Sequence, residues 1–131
     1  MPMRLSTMKT HTAVLAAALL LTSCSGGGSK AISATGIEFR PIGGDVFAVT
    51  IGPDADVPKT EAALRKHCEG KQACTIYGWT DAAAAARSEP LTDPQTAALA
   101  VRYTHNATGR DDMEWDCIRF RAAKAPCLIK A

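Results

Sequence analysis

The chain has 131 residues with 15 Lys and Arg against 13 Asp and Glu, a formal net charge of +2, and it is 47% hydrophobic but only 5% aromatic. That length suits one domain and is too short for two, and so small a basic excess leaves no electrostatic footprint for nucleic acid. With so few aromatic side chains the core must be lean, and a small domain with a lean core gains from covalent staples.

At the N-terminus, Arg4 and Lys9 precede the apolar stretch Ala13-Val14-Leu15-Ala16-Ala17-Ala18-Leu19-Leu20-Leu21. At about 10 residues it has the length of a signal-peptide core and falls short of the roughly 20 a membrane span needs. Met8-Lys9-Thr10-His11 makes a tidier start than Met1. The stretch ends in Leu21-Thr22-Ser23-Cys24, an aliphatic residue, two small residues and a cysteine. This resembles the lipobox of bacterial lipoproteins. The resemblance implies that residues 1–23 are a signal peptide, that Cys24 takes a diacylglycerol on its sulfur, and that its freed amino group is acylated with a chain such as palmitate. Several acyl chains anchor far more firmly than one. Ser25 rather than an aspartate follows the cysteine, which by the usual sorting rule implies the outer membrane, facing the periplasm. Removing Arg4 and Lys9 takes away two bases and no acid, so the mature part carries 13 of each sign and no formal charge. Lipid rather than a polybasic patch is then expected to hold the protein to the membrane.

Residues 24–31 read as the lipidated cysteine and a Gly/Ser tether, because Ser25-Gly26-Gly27-Gly28-Ser29 offers no side chain to pack. The globular domain spans 32–131. Ile37 to Ile42 and Val46 to Ile51 flank the turn residues Gly43-Gly44-Asp45 and read as a hairpin, with Pro41 pointing to an edge position or a bulge. Asp56 caps a predicted helix from Val57 to Glu69, with Pro58 in its first turn and Gly70 as its stop. Cys74 to Thr80 is a predicted strand in which Gly78 signals a bulge or the close approach of another backbone. Asp81 to Arg87 has helix propensity, and Leu91 to Pro94 suits the start of a helical turn. Ala98 to Thr104 and Met113 to Phe120 read as antiparallel strands around the turn Asn106-Ala107-Thr108-Gly109. No internal repeat is present. The fold class expected is α+β: a small antiparallel sheet of four or five strands with one main helix packed on it, disulfide-stapled.

Setting Cys24 aside leaves Cys68, Cys74, Cys117 and Cys127. An even number in an exported chain reads as two disulfides, with three connectivities open. Proximity in sequence favours Cys68–Cys74 and Cys117–Cys127. A metal site built from His67, Cys68 and Cys74 with Cys117 or His105 lacks the paired spacing of zinc ligands, and no Cys-x-x-Cys supports redox chemistry. No cofactor is therefore expected.

No nucleophile elbow, phosphate-binding loop or paired-histidine helix occurs, so no catalytic residue is assigned and no enzyme is expected. Asp111, Asp112, Glu114 and Asp116 read as a solvated hairpin in preference to a cation cage. The ligand-binding candidates are Tyr77, Trp79 and Trp115, since Trp and Tyr dominate binding hot spots. The competing and weightier reading buries both indoles in the core. The pattern His67-Cys68, Cys74, Gly78-Trp79 and Trp115-Asp116-Cys117 resembles small exported bacterial domains of no established activity, and implies no chemistry. The function expected first is a non-enzymatic envelope lipoprotein that binds a protein or cell-wall component or has a structural role. The alternative is a periplasmic inhibitor or immunity protein that blocks a hydrolase or toxin with the tip Asn106 to Asp112.

Overall fold

The computed structural model describes residues 31–32 and 36–130. The expected signal peptide, Cys24 and the Gly/Ser stretch through residue 30 lie outside them. The elements in chain order are β1 (Ala31–Ile32), β2 (Glu38–Gly43), β3 (Val46–Thr50), α1 (Val57–Cys68), β4 (Ala73–Trp79), α2 (Asp93–Ala97), β5 (Val101–Asn106) and β6 (Asp111–Trp115). The strands form one sheet in the order β1-β2-β3-β4-β5-β6. The α+β class, the single main helix and both stapling disulfides agree with the sequence reading.

Two features differ: the two-residue β1 adds a sixth strand to the four or five expected, and one pairing changes direction. β3 and β4 run parallel, in register Val46↔Thr75 to Thr50↔Trp79, so the sheet is mixed and not wholly antiparallel. The cause is α1. A helix inserted between two strands carries the chain back along the sheet, so the next strand starts from the same end as the last.

α1 forms where the sequence places it. The Asp56 side chain accepts the Lys59 amide at 2.9 Å, Pro58 occupies the first turn where its missing N–H costs nothing, and Arg65, Lys66 and His67 suit the negative end of the helix dipole. Gly70 ends it with φ near +76°, a conformation open to glycine. The helix buries Val57, Thr60, Ala63, Leu64 and Cys68. Val57, Leu64 and Cys68 of these join Phe39, Val49, Ile76, Val101, Tyr103, Met113 and Trp115, and Phe120 closes the same core.

Gly78 is crowded by side chains and not by the bulge or backbone approach that the sequence suggests. A β-carbon there would lie 2.5 Å from Val101 Cγ1 and 3.2 Å from Val49 Cγ2, both on neighbouring strands. Val101 is fully buried and stiff at χ1, so it cannot swing away. Gly78→Ala is expected to cost about 1–3 kcal/mol by overpacking. A urea melt checks this; an unchanged midpoint would mean that the two valines yield.

The opposite face is covered by the chain between β4 and β5. Ile42, Ala48, Trp79, Ala85, Ala86 and Leu99 form this second, smaller core. Helix propensity over Asp81 to Arg87 is overridden here, and the segment runs as turns. Ala85 and Ala86 are drawn onto the sheet, and the Ala86 carbonyl accepts from Arg40 at 2.7 Å instead of entering a helical ladder. α2 forms further on, capped by a reciprocal pair: Thr92 accepts from the Gln95 amide while the Gln95 side chain accepts from the Thr92 amide. The first hairpin carries its irregularity between Pro41 and Gly43, where the proline signals it.

β6 starts at Asp111 and ends at Trp115, short of the expected Phe120. Asp116 stops it by turning its carboxylate onto the amides of Ile118 and Arg119, at 3.1 and 3.4 Å. Beyond that turn the Cys117–Cys127 disulfide holds the C-terminal segment as a lobe, and Cys127 bridges in parallel to Trp115.

Candidate functional site

Both indoles are core residues. Trp79 and Trp115 are each 0% exposed and lie in different cores on opposite faces of the sheet. Trp79 donates its Nε1–H to the Gln95 carbonyl at 2.8 Å, pinning α2 over the second face. Trp115 donates to Glu61 Oε1 on α1 at 2.9 Å. Of the three aromatic candidates only Tyr77 is half-exposed, with its ring centroid 6.3 Å from that of Trp79. An aromatic binding platform built on Tyr77, Trp79 and Trp115 therefore does not exist. A core with three Phe, two Trp and two Tyr in the whole chain spends its largest rings on packing.

The four cysteines are paired as Cys68–Cys74 and Cys117–Cys127, so none presents a thiolate to a metal or to a redox partner. His67 is stacked on Phe39 at 3.9 Å between centroids and meets the Phe47 ring edge-on at 4.5 Å. Its burial, with Lys71 nearby, holds the imidazole below its usual pKa. It is a packing residue on the flank of the main core.

What the surface does offer is the β5–β6 ribbon. Its tip, residues 107–112, is exposed throughout, yet it is held by a dense set of bonds. Asn106 Oδ1 accepts from the Thr108 amide at 3.1 Å, the Thr108 hydroxyl at 2.7 Å and the Arg110 amide at 3.0 Å. One side chain thus fixes both limbs of the turn. The Ala107 amide donates to the Gln72 carbonyl at 2.9 Å, tying the tip to the loop that the Cys68–Cys74 disulfide closes. Gly109 takes φ near +100°, where a side chain would be strained.

The ribbon is also tied to α1 along its length. Arg65 contacts Glu61 at 3.4 Å and Asp111 at 3.6 Å, and its guanidinium carbon lies 5.9 Å from the Tyr103 ring centroid. Burial, together with a hydrogen bond to Asp111, pushes the Tyr103 phenol up to about 12, so it stays a neutral donor. The chain Trp115–Glu61–Arg65–Asp111–Tyr103 locks helix to hairpin.

The other face of the ribbon is charged. Arg102 Nε donates to Glu114 at 2.6 Å across the strands, and Arg110 Nε donates to Asp112 at 2.6 Å. They border a shallow groove of about 270 Å³ that Pro126 closes on one side. Asp111, Asp112 and Glu114 are thus each paired with an arginine on the hairpin surface. Asp116 departs from the solvated-hairpin reading: it is buried beyond the end of β6 and pairs with Lys130 and Arg119. The surface pairs add little stability but set the charge pattern a partner meets. A hollow of about 300 Å³ beside Arg40 lies on the same side of the sheet, over its second core. Arg40 is already committed there to the Ala86 carbonyl.

Sequence reasoning placed the turn at Asn106 but missed its role as a lock. The available signal was an Asn opening a four-residue turn that closes on Gly, the residue type whose side chain bonds its own downstream backbone. Comparison with protein families, curated proteins and solved structures finds no match, so the reading of function rests on this geometry and on the N-terminal motif.

Proposed function

We propose that this chain is an envelope-anchored lipoprotein with a non-enzymatic binding role, tethered through Cys24 to the outer membrane and facing the periplasm. The motif Leu21-Thr22-Ser23-Cys24 supports the anchor, and two disulfides are compatible with export. The observation that carries the binding role is the exposed, pre-ordered tip of the β5–β6 ribbon. Ordering a loop before contact removes part of the entropy cost of association, which is the main use of a rigid exposed loop. The partner is a protein or cell-wall component of the envelope.

A second reading is favoured by the same tip. A fixed loop on a small stapled domain suits insertion into a concave site, so an inhibitor or immunity protein against a hydrolase or toxin would present it to an active-site cleft.

The test is a photo-crosslinking residue at Thr108, expressed in the protein's own cells, with adducts identified by mass spectrometry. One discrete adduct is expected, and Asn106→Ala should reduce its yield about tenfold while leaving thermal stability nearly unchanged, since it frees the tip without touching the core. A hydrolase or toxin in the adduct would select the inhibitory reading. The same probe at Lys59, on the exposed start of α1, serves as the control. Adducts at Lys59 with none at Thr108 would remove the tip from the proposal.

A further inference from the structure

The formal neutrality of the mature chain conceals a local asymmetry. From residue 117 to residue 130 there are four basic side chains, Arg119, Arg121, Lys124 and Lys130, and no acidic one. The nearest acid in sequence is Asp116, which is 7% exposed. In space, Glu61 lines the same hollow as Lys124, and Asp112 and Glu114 line the same groove as Pro126; each of these acids is already paired with an arginine. The Asp116 carboxylate meets Lys130 Nζ at 2.8 Å and Arg119 Nε at 3.5 Å. Burial alone would raise its pKa, but the bonds from Lys130 and from the Arg119 and Ile118 amides hold it below the usual carboxylate range. Arg121 and Lys124, both exposed, have no ion pair among the described residues.

The same lobe carries Ile118 at 86% exposure and Ile129 at 91%, the large hydrophobic side chains left in solvent among the described residues. A single exposed isoleucine needs no explanation. Two of them on one disulfide-closed lobe do, because the lobe already has its packing anchor in Phe120, whose ring centroid lies 4.9 Å from that of Trp115. One carboxylate ties together the two backbone segments that carry the isoleucines. Asp116 binds the amide of Ile118 with one oxygen and the ammonium of Lys130, the neighbour of Ile129, with the other.

Position adds a second argument. Ala31, Phe39, Val49, Gly78, Val101 and Trp115 form one row across the sheet, so the lobe at Trp115 and the start of the described chain lie at opposite edges on the same level. Five strand spacings separate them by about 24 Å. The tip at Asn106 lies at the other end of β5, about 17 Å along the strand from Val101.

We propose that the 117–130 lobe is a second, peripheral membrane contact, a surface for anionic phospholipid headgroups into which Ile118 and Ile129 dip. This rests on the lipoprotein reading, since the anchor is what brings the lobe to a bilayer. Basic residues beside apolar ones are the combination that an anionic interface attracts. Docked this way, the domain stands with the Trp115 end of its strands toward the membrane and holds the tip, at the other end of β5 and β6, away from it.

The experiment uses the mature protein purified from its own membranes and reconstituted in vesicles with brominated acyl chains, made of phosphatidylcholine alone or with phosphatidylglycerol. Trp79 and Trp115 are inaccessible, so a new indole is the one that reports. Ile118→Trp and Ile129→Trp should be quenched in the anionic vesicles and not in the neutral ones. Thr108→Trp should be quenched in neither, and Arg121→Glu with Lys124→Glu should abolish the effect. Quenching at neither isoleucine position, or equal quenching in both lipids, would overturn the proposal. An Ile118→Trp emission shift with polyglutamate but not with anionic vesicles would assign the lobe to an acidic protein instead. The mass of the same preparation reads the anchor separately. Protein without acyl chains that still shows anionic quenching would keep the lobe and sink the anchor, and acylated protein without quenching would do the reverse.

Discussion

Replacing Cys68, Cys74, Cys117 and Cys127 together with alanine should remove about 5 kcal/mol, roughly 2–3 kcal/mol for each bridge in the chain-entropy picture. Small domains have about 5–15 kcal/mol in total, so the variant should be largely unfolded at growth temperature. The two bridges close short loops, with sequence separations of 6 and 10, and do different work. Cys68 and Cys74 are buried between α1 and β4, and losing them also opens the main core. Cys117 and Cys127 lie at the surface, and their loss should free the C-terminal lobe while leaving the sheet in place. Urea melts of the two paired variants and the fourfold variant separate these effects. A fourfold variant with the parent midpoint would show that the hydrophobic cores suffice alone.

Trp115→Ala should cost about 3–5 kcal/mol, the range for emptying a large aromatic site. Trp115 is 0% exposed, touches Phe120 and donates to Glu61. Two losses therefore combine: a cavity between sheet and lobe, and a Glu61 Oε1 left without its donor, with Arg65 alone remaining on the other oxygen. Trp115→Phe separates them. It keeps most of the ring volume and removes the donor, so it should cost about 1–3 kcal/mol. If Trp115→Ala costs no more than Trp115→Phe, the ring is not a structural keystone, and its use as a ligand anchor would have to be reopened.

Local signals carried much of the fold. Asp56, Pro58 and Gly70 each act within a turn of the helix they bound, so α1 was legible. Gly78 was legible because only a missing side chain explains a glycine inside so apolar a strand. The cysteine pairing was legible because partners close in sequence meet at low entropic cost. Direction and coverage were not legible. Whether β4 runs parallel to β3 depends on where α1 delivers the chain, and that is a tertiary outcome. The run Ala82 to Ala86 shows propensity losing to the burial of Ala85 and Ala86. β6 ends early because Asp116 prefers its own downstream amides, a local choice that strand alternation hides. At the site, the aromatic residues drew attention that belonged to Asn106, a small polar residue whose importance lies in three bonds and not in its type. The basic lobe was written in the sequence from residue 117 onward, but a net charge taken over the whole chain cancels it.

The central claim is that the domain works from a lipid anchor at Cys24. Intact-mass analysis of the mature protein, taken from the membranes of its own cells, tests it most directly. The expected result is a chain beginning at Cys24 that carries the mass of a diacylglycerol and an N-linked acyl chain, with both disulfides formed. A chain that begins elsewhere, or that begins at an unmodified Cys24 and is recovered from the soluble fraction, would contradict it.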